Sequence, residues 1–103
     1  MQILAVQGSP RGKNGHTDVI LQEFLRGAQS AGARTRTVYL NTLSIRHCTG
    51  CYGCWVKTPG QCVIKDDMAA LLDKILGCDV LVYVTPVYVY SMTSLMKSFI
   101  DRM

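Results

Sequence analysis

Met1-Gln2-Ile3-Leu4-Ala5-Val6-Gln7 runs directly into Gly8-Ser9-Pro10-Arg11-Gly12-Lys13-Asn14-Gly15-His16-Thr17, and this junction decides the fold. The first part is a near-continuous apolar run, as expected for a parallel strand covered on both faces. The second is a short loop rich in Gly, Ser and Thr that leads into a helical pattern. Such a loop aims backbone N–H groups and a helix N-terminus at one point, where an anion can sit. It contains neither G-x-x-x-x-G-K-[ST] nor G-x-G-x-x-G, which disfavours a nucleotide triphosphatase and an ordinary dinucleotide fingerprint. A terminal phosphate monoester fits best, and Arg11 and Lys13 put positive charge within the loop.

Outward from this junction the elements alternate. Thr17–Ala31 places Ile20, Leu21, Phe24, Leu25, Ala28 and Ala31 on one helical stripe, and Gly32 supplies a stop. Thr35–Leu40 alternates polar and apolar residues and reads as an edge strand, with Arg34 and Arg36 expected to point away from Val38 and Leu40. A long loop from Asn41 to Lys65 carries most of the cysteines, and loops of that length usually signal function. Asp66-Asp67 opens a second helix with Met68, Leu71, Leu72, Ile75 and Leu76 on its buried face and Gly77 past its end. Asp79–Thr85 is expected to be a third buried strand, and Thr93–Met103 a third helix carrying Leu95, Met96, Phe99 and Ile100. With right-handed crossovers this order predicts one α/β domain, a three-layer α/β/α sandwich over a parallel sheet.

The chain has 103 residues, nearly half of them apolar, and no low-complexity tract, so a single globular domain with a modest core is expected. The net charge of +4 comes from scattered Lys and Arg with few interleaved aromatics, which argues against a nucleic-acid surface. Apolar runs are too short to span a bilayer, and a strand starting at residue 1 leaves no room for a signal peptide. A cytoplasmic protein without membrane or nucleic-acid partners is the expectation.

Gly8-Ser9-Pro10-Arg11, Thr17, Asp66-Asp67-Met68, Thr85-Pro86-Val87-Tyr88 and Phe99-Ile100-Asp101-Arg102 occur in register along nearly the whole chain. In this the sequence resembles the NAD(P)H-dependent FMN reductase family of flavodoxin-like proteins. The resemblance implies strand order 2-1-3, FMN as cofactor and NAD(P)H as substrate. It implies that Ser9, Arg11, Asn14, His16 and Thr17 hold the FMN phosphate, with His16 a loop donor rather than a general acid. It also implies that Pro86, Val87, Tyr88, Val89, Tyr90 and Ser91 lie along the isoalloxazine ring, although Val87 and Val89 equally suit simple packing. The flavin carries the hydride chemistry, so no dedicated catalytic side chain is expected.

Cys48-x2-Cys51-x2-Cys54-x7-Cys62 is the second signal. Three cysteines at two-residue intervals can wrap a cubane corner, with the fourth ligand arriving from further along. Structural zinc favours two separated pairs, which this spacing imitates less well. The pattern resembles that of the iron–sulfur flavoproteins, a branch of the same family with a [4Fe–4S] centre beside FMN. A cluster would suit exchange with a ferredoxin-type carrier. Zinc and free thiols remain the alternatives. His47 reads as a loop residue, and Cys78 as a small buried hydrophobe at a helix–strand junction.

The family's strands 4 and 5 are absent from these 103 residues, which reads as the N-terminal part of the fold and leaves strand 3 as an apolar edge. A homodimer or higher homo-oligomer joined through that edge is therefore expected. The function expected is an FMN oxidoreductase moving electrons from NAD(P)H or a low-potential carrier to a small acceptor. An FMN-binding electron-transfer module without nicotinamide turnover, or an inactive fragment, is the alternative.

Overall fold

The computed structural model describes all residues from Met1 to Met103. Strand β1 (Gln2–Gln7) forms the centre, with β2 (Arg34–Tyr39) and β3 (Val80–Val84) parallel on either side in the order β2-β1-β3. Helix α1 (His16–Ser30) crosses from β1 to β2. The short α2 (Gly53–Val56) lies in the cysteine loop, α3 (Met68–Leu76) precedes β3, and α4 (Ser94–Asp101) follows it. No helix is long and apolar enough to cross a membrane.

Alternation along β1 divides the core into two. Leu4 and Val6 face α3 and α4, where they meet Val38, Leu40, Met68, Leu71, Met96 and Phe99. Ala5 faces α1 and packs with Leu21 and Leu25, with Val82 and Val84 beside them. These are the three layers of a flavodoxin-like α/β/α sandwich, and each of β1's inner residues is at most 8% exposed. Every strand boundary expected from the sequence falls within one residue of the observed one.

Four packing expectations are corrected. Arg34 and Arg36 share the parity of Val38, and the register pairs Leu4 with Arg36, so the arginines lie on the same sheet face as Val38 rather than the opposite one. They remain exposed because α3, only nine residues long, leaves the foot of that face open. There a groove of about 650 Å³ is lined by Arg34, Arg36, Asp73 and Lys74. On α1, Ile20, Phe24 and Ala31 are exposed and only Leu21 and Leu25 are buried, since a three-stranded sheet offers one helix a narrow seat. Leu76, in the last turn of α3, is 85% exposed. Strand β3 pairs only with β1, the edge position expected for it, but it is not buried: Val80 and Tyr83 are exposed.

Tyr39 ties the end of β2 to the start of α1. Its hydroxyl donates to Asp18 Oδ1 at 2.8 Å. Burial first, then this hydrogen bond and the Asp18 charge, pushes the phenol up to about 12 from its ordinary 10.0. A raised folded-state value means that the contact stabilises fully below about pH 10 and is lost as pH rises through about 12. Absorbance titration at 295 nm is expected to show one tyrosine ionising late, and the late step disappears in Tyr39→Phe.

Candidate functional site

β1 and β3 end side by side, joined by the Gly8 N–H donating to the Val84 carbonyl at 2.7 Å, so the loops after them leave from one place. The first loop is wired from within. Gln7, fully buried, accepts from Ser9 N–H through Oε1 at 3.0 Å and donates through Nε2 to the Gly12 carbonyl at 2.9 Å. Ser9 is 3% exposed, and its Oγ accepts from Arg11 N–H at 3.2 Å, leaving its own proton free to donate. Gly12 turns the chain at φ +56°, and a Cβ there would fall 2.6 Å from Asn41 Nδ2, so glycine is needed both for conformation and for space.

Helix α1 then starts at His16 with Gly15 as its cap, and no side chain accepts from its first turn. The N–H groups at the head of a fifteen-residue helix are thus left for another acceptor. A Cβ on Gly15 would come 3.2 Å from Arg11 Cβ and 3.4 Å from Ser9 Oγ, so the bare glycine keeps the space beside the Ser9 hydroxyl open. Arg11, Asn14 and His16 are exposed around it and Thr17 is half-buried. A buried hydroxyl, free backbone donors and an exposed guanidinium form a donor set that fits a phosphate dianion.

The second loop presents apolar surface. Val87, Val89 and Tyr90 are 74%, 90% and 100% exposed, and Pro86 and Tyr88 less so. Val87 and Val89 therefore do not pack into the core. Tyr88 and Ser91 exchange backbone hydrogen bonds of 2.7 and 3.1 Å, closing a two-residue turn in which Val89 and Tyr90 take φ of +47° and +66°. Thr93, 1% exposed, joins this loop to the first: its hydroxyl donates to the Gly8 carbonyl at 2.6 Å and accepts from Met96 N–H as the cap of α4. Gln7 and Thr93 are the supporting residues that the motif reading missed. Each carried a signal, a polar residue closing an apolar strand and a threonine preceding an apolar helix.

The cysteines lie in one loop but are not gathered. Cys48, Cys51 and Cys54 are exposed and Cys62 is half-buried, and no three groups among the Cys, His, Asp and Glu side chains converge as a metal site. Gly50 N–H donates to Cys48 Sγ and Gly53 N–H to Cys51 Sγ, each at 3.4 Å. The Gly53 N–H at the start of α2, aided by the Thr49 hydroxyl and the Lys57 charge, holds the Cys51 thiol below its ordinary range against the opposing effect of desolvation. Timed alkylation with iodoacetamide at neutral pH is expected to modify Cys51 ahead of Cys48 and Cys54. His47 is an exposed loop residue, and Cys78 packs at the margin of the core with its Sγ 3.1 Å from the Ile75 carbonyl.

The cysteine loop is closed at its base by a buried ion pair. Arg102, at the end of α4, meets Asp66 at 2.5 Å, with side chains 1% and 4% exposed. Asp66 also accepts from the N–H groups of Arg46 and Met68 at 2.8 and 3.1 Å. The Arg102 hydrogen bond above all, opposed by burial and aided by the two backbone donors, pulls the carboxyl down to about 2.

The sequence model of NADPH-dependent FMN reductase matches residues 1–103. An iron–sulfur flavoprotein of Archaeoglobus fulgidus is 36% identical over 103 residues, covering 100% of this chain and 46% of that protein. A solved flavone reductase is 33% identical with a TM-score of 0.75, covering 99% of this chain and 29% of the other. An FMN-dependent NADH-azoreductase from Bacillus anthracis, solved in complex with FMN, superposes with a TM-score of 0.73 at 15% identity, over 100% of this chain and 55% of the other, and shows the fold alone. The chain spans about half the length of the curated relatives it matches. By the match along its entire length, the chain belongs to the NADPH-dependent FMN reductase family.

Proposed function

We propose that this chain is the FMN-binding part of an oxidoreductase that moves electrons from NAD(P)H, or from a low-potential carrier, to a small acceptor. The observation that carries this reading is the uncapped head of α1 beside the buried Ser9 hydroxyl, next to an apolar ledge rather than a second polar pocket. Ser9, Arg11, Asn14, His16 and Thr17 hold the phosphate. Pro86, Val87, Tyr88, Val89, Tyr90 and Ser91 wall one side of the ring. When bound, FMN supplies the hydride and electron chemistry, and the protein's share is placement and exclusion of water. No side-chain base is required.

The test is retention of FMN by the purified chain, followed by oxidation of NADH or NADPH with a quinone or free flavin as acceptor. Binding together with turnover supports the proposal. Binding without turnover supports the electron-transfer module, and failure to hold FMN overturns the reading. Arg11→Gln combined with Thr17→Val is expected to weaken FMN binding by at least about tenfold, a loss of roughly 1.4 kcal/mol.

A second reading concerns the cysteines, and it is favoured by their spacing and by the name of the archaeal relative. In it Cys48, Cys51, Cys54 and Cys62 hold a [4Fe–4S] cluster, and a ferredoxin-type partner exchanges electrons with it. The thiols stand apart in this structure, so the flavin route above does not depend on them. Iron and acid-labile sulfide near four each per chain would support the cluster, whereas one zinc or no metal would overturn it. The open, apolar edge of β3 supports homodimerisation through that strand, which sedimentation would test: a stable monomer refutes it.

A further inference from the structure

The foot of the sheet carries positive charge that the fold does not neutralise. Of the seven carboxylates in the chain, six are already engaged. Glu23, Asp101 and Asp66 pair with Arg26, Lys97 and Arg102. Asp18 accepts from the Tyr39 hydroxyl, Asp67 from the Ser44 N–H and Asp79 from the Gln2 N–H. Only Asp73 is left. It lines the groove at the foot of the sheet with Arg34, Arg36 and Lys74, none of which enters an ion pair or a side-chain hydrogen bond. Three cations share that groove with one carboxylate, an excess of two positive charges.

These charges stand on regular structure. Arg34 and Arg36 lie two residues apart on β2, opposite Gln2 and Leu4 of β1, so both are on the face that α3 covers only in part. Two residues of strand span about 6.6 Å, which lets two long guanidinium arms converge on one tetrahedral anion. Lys74, in the last turn of α3, forms the opposite wall. The foot is pinned from both sides: Arg34 N–H donates to the Met1 carbonyl at 3.0 Å, and Asp79 N–H to the Gln2 carbonyl at 2.8 Å. Like charges held together repel, and an anion from outside relieves that repulsion. A lone carboxylate would leave one charge over, whereas a phosphate dianion matches the excess and suits the guanidinium fork. The volume of about 650 Å³ falls within the range of about 300–1,000 Å³ usual for small-molecule sites.

We propose that this groove is a second anion site, holding the phosphate dianion of a small molecule between Arg34 and Arg36 on one wall and Lys74 on the other. It lies at the far end of β1 from the phosphate loop, about 17 Å away along a six-residue strand. The loop offers backbone N–H groups and a hydroxyl, while the groove offers guanidinium and ammonium groups. The two sites are therefore separable, and the groove does not depend on the flavin reading.

The experiment is a titration of the whole chain, followed by amide NMR, with phenyl phosphate at about pH 7.5, where a phosphate ester is mostly dianionic. Gly77 and Cys78 report on the groove, and Gly12 and Gly15 on the phosphate loop. Both pairs are expected to shift, each with its own saturation curve. Arg34→Gln combined with Arg36→Gln is expected to weaken binding at the groove by at least about tenfold, and Lys74→Gln alone by about threefold, as charge-assisted hydrogen bonds are lost. The curve at Gly12 and Gly15 stays where it was. All three side chains are exposed, so the variants keep the fold. Inorganic phosphate in a parallel titration identifies the source: binding tighter than the ester points to the free ion, and weaker binding to an esterified ligand, each supporting the site. Gly77 and Cys78 signals that do not move overturn the proposal. So do shifts that survive in the double variant, or malonate, a dicarboxylate dianion, binding the groove as tightly as phenyl phosphate.

Discussion

Asp66→Asn is expected to lower the melting temperature by about 12–40 °C. The substitution leaves the Arg102 charge in place with its side chain 1% exposed and its counter-ion gone. Breaking a buried ion pair from one side costs about 3–5 kcal/mol, and each kcal/mol is worth about 4–8 °C in a domain of this size. The acid side provides a second measure. Asp66 sits at about 2 in the folded protein against an ordinary 3.8. With the folded value depressed, its contribution is complete above about pH 4 and is lost as pH falls toward about 2. Denaturant melts across this window should therefore show the wild-type protein and Asp66→Asn converging as pH falls. A constant gap would mean that the carboxylate's charge is not what holds the clamp.

The other large effect is expected at Thr93→Val, an isosteric change that removes one hydroxyl. That hydroxyl caps α4 and also satisfies the Gly8 carbonyl, both within buried structure. Loss of a cap costs about 0.5–2 kcal/mol, and a stranded buried polar group about 1–3 kcal/mol, so a loss of about 1.5–5 kcal/mol is expected in urea melts. Gly8 begins the phosphate loop, and its release is also expected to weaken FMN binding by about tenfold. Stability lost with FMN affinity unchanged would show that the hydroxyl supports the helix alone.

Much of the fold was legible because β1 and its loop are local signals: an apolar run, a set of glycines and a helix start lie within seventeen residues. What was not legible depends on partners far along the chain. Thr93 meets Gly8, and Arg102 meets Asp66 and Arg46, contacts that no window of periodicity contains. The facing of Arg34 and Arg36 was a matter of parity, since residues two apart share a face of a strand; their charge suggested solvent, and the open foot of the sheet supplies it on the inner face. The stripe on α1 was read too wide. Ile20 and Phe24 have the right spacing for burial, but what a stripe buries is set by the width of the sheet beneath it. Among the site residues, the phosphate loop carried recognisable chemistry, whereas the exposure of Val87 and Val89 could be read only from coordinates.

The turn at Val89 and Tyr90 bears on how such a sequence can change. Left-handed backbone at two consecutive positions is normally occupied by Asn-Gly, and non-glycine residues held there, a β-branched one above all, cost about 1–3 kcal/mol each. A library selected only for heat resistance will therefore drift toward Asn, Asp or Gly at these positions and strip two of the most exposed apolar side chains from the ledge. With the proposed role of this ledge along the flavin ring, thermostability and flavin affinity are set against each other at this turn, and selection must weigh both if the ledge is to survive.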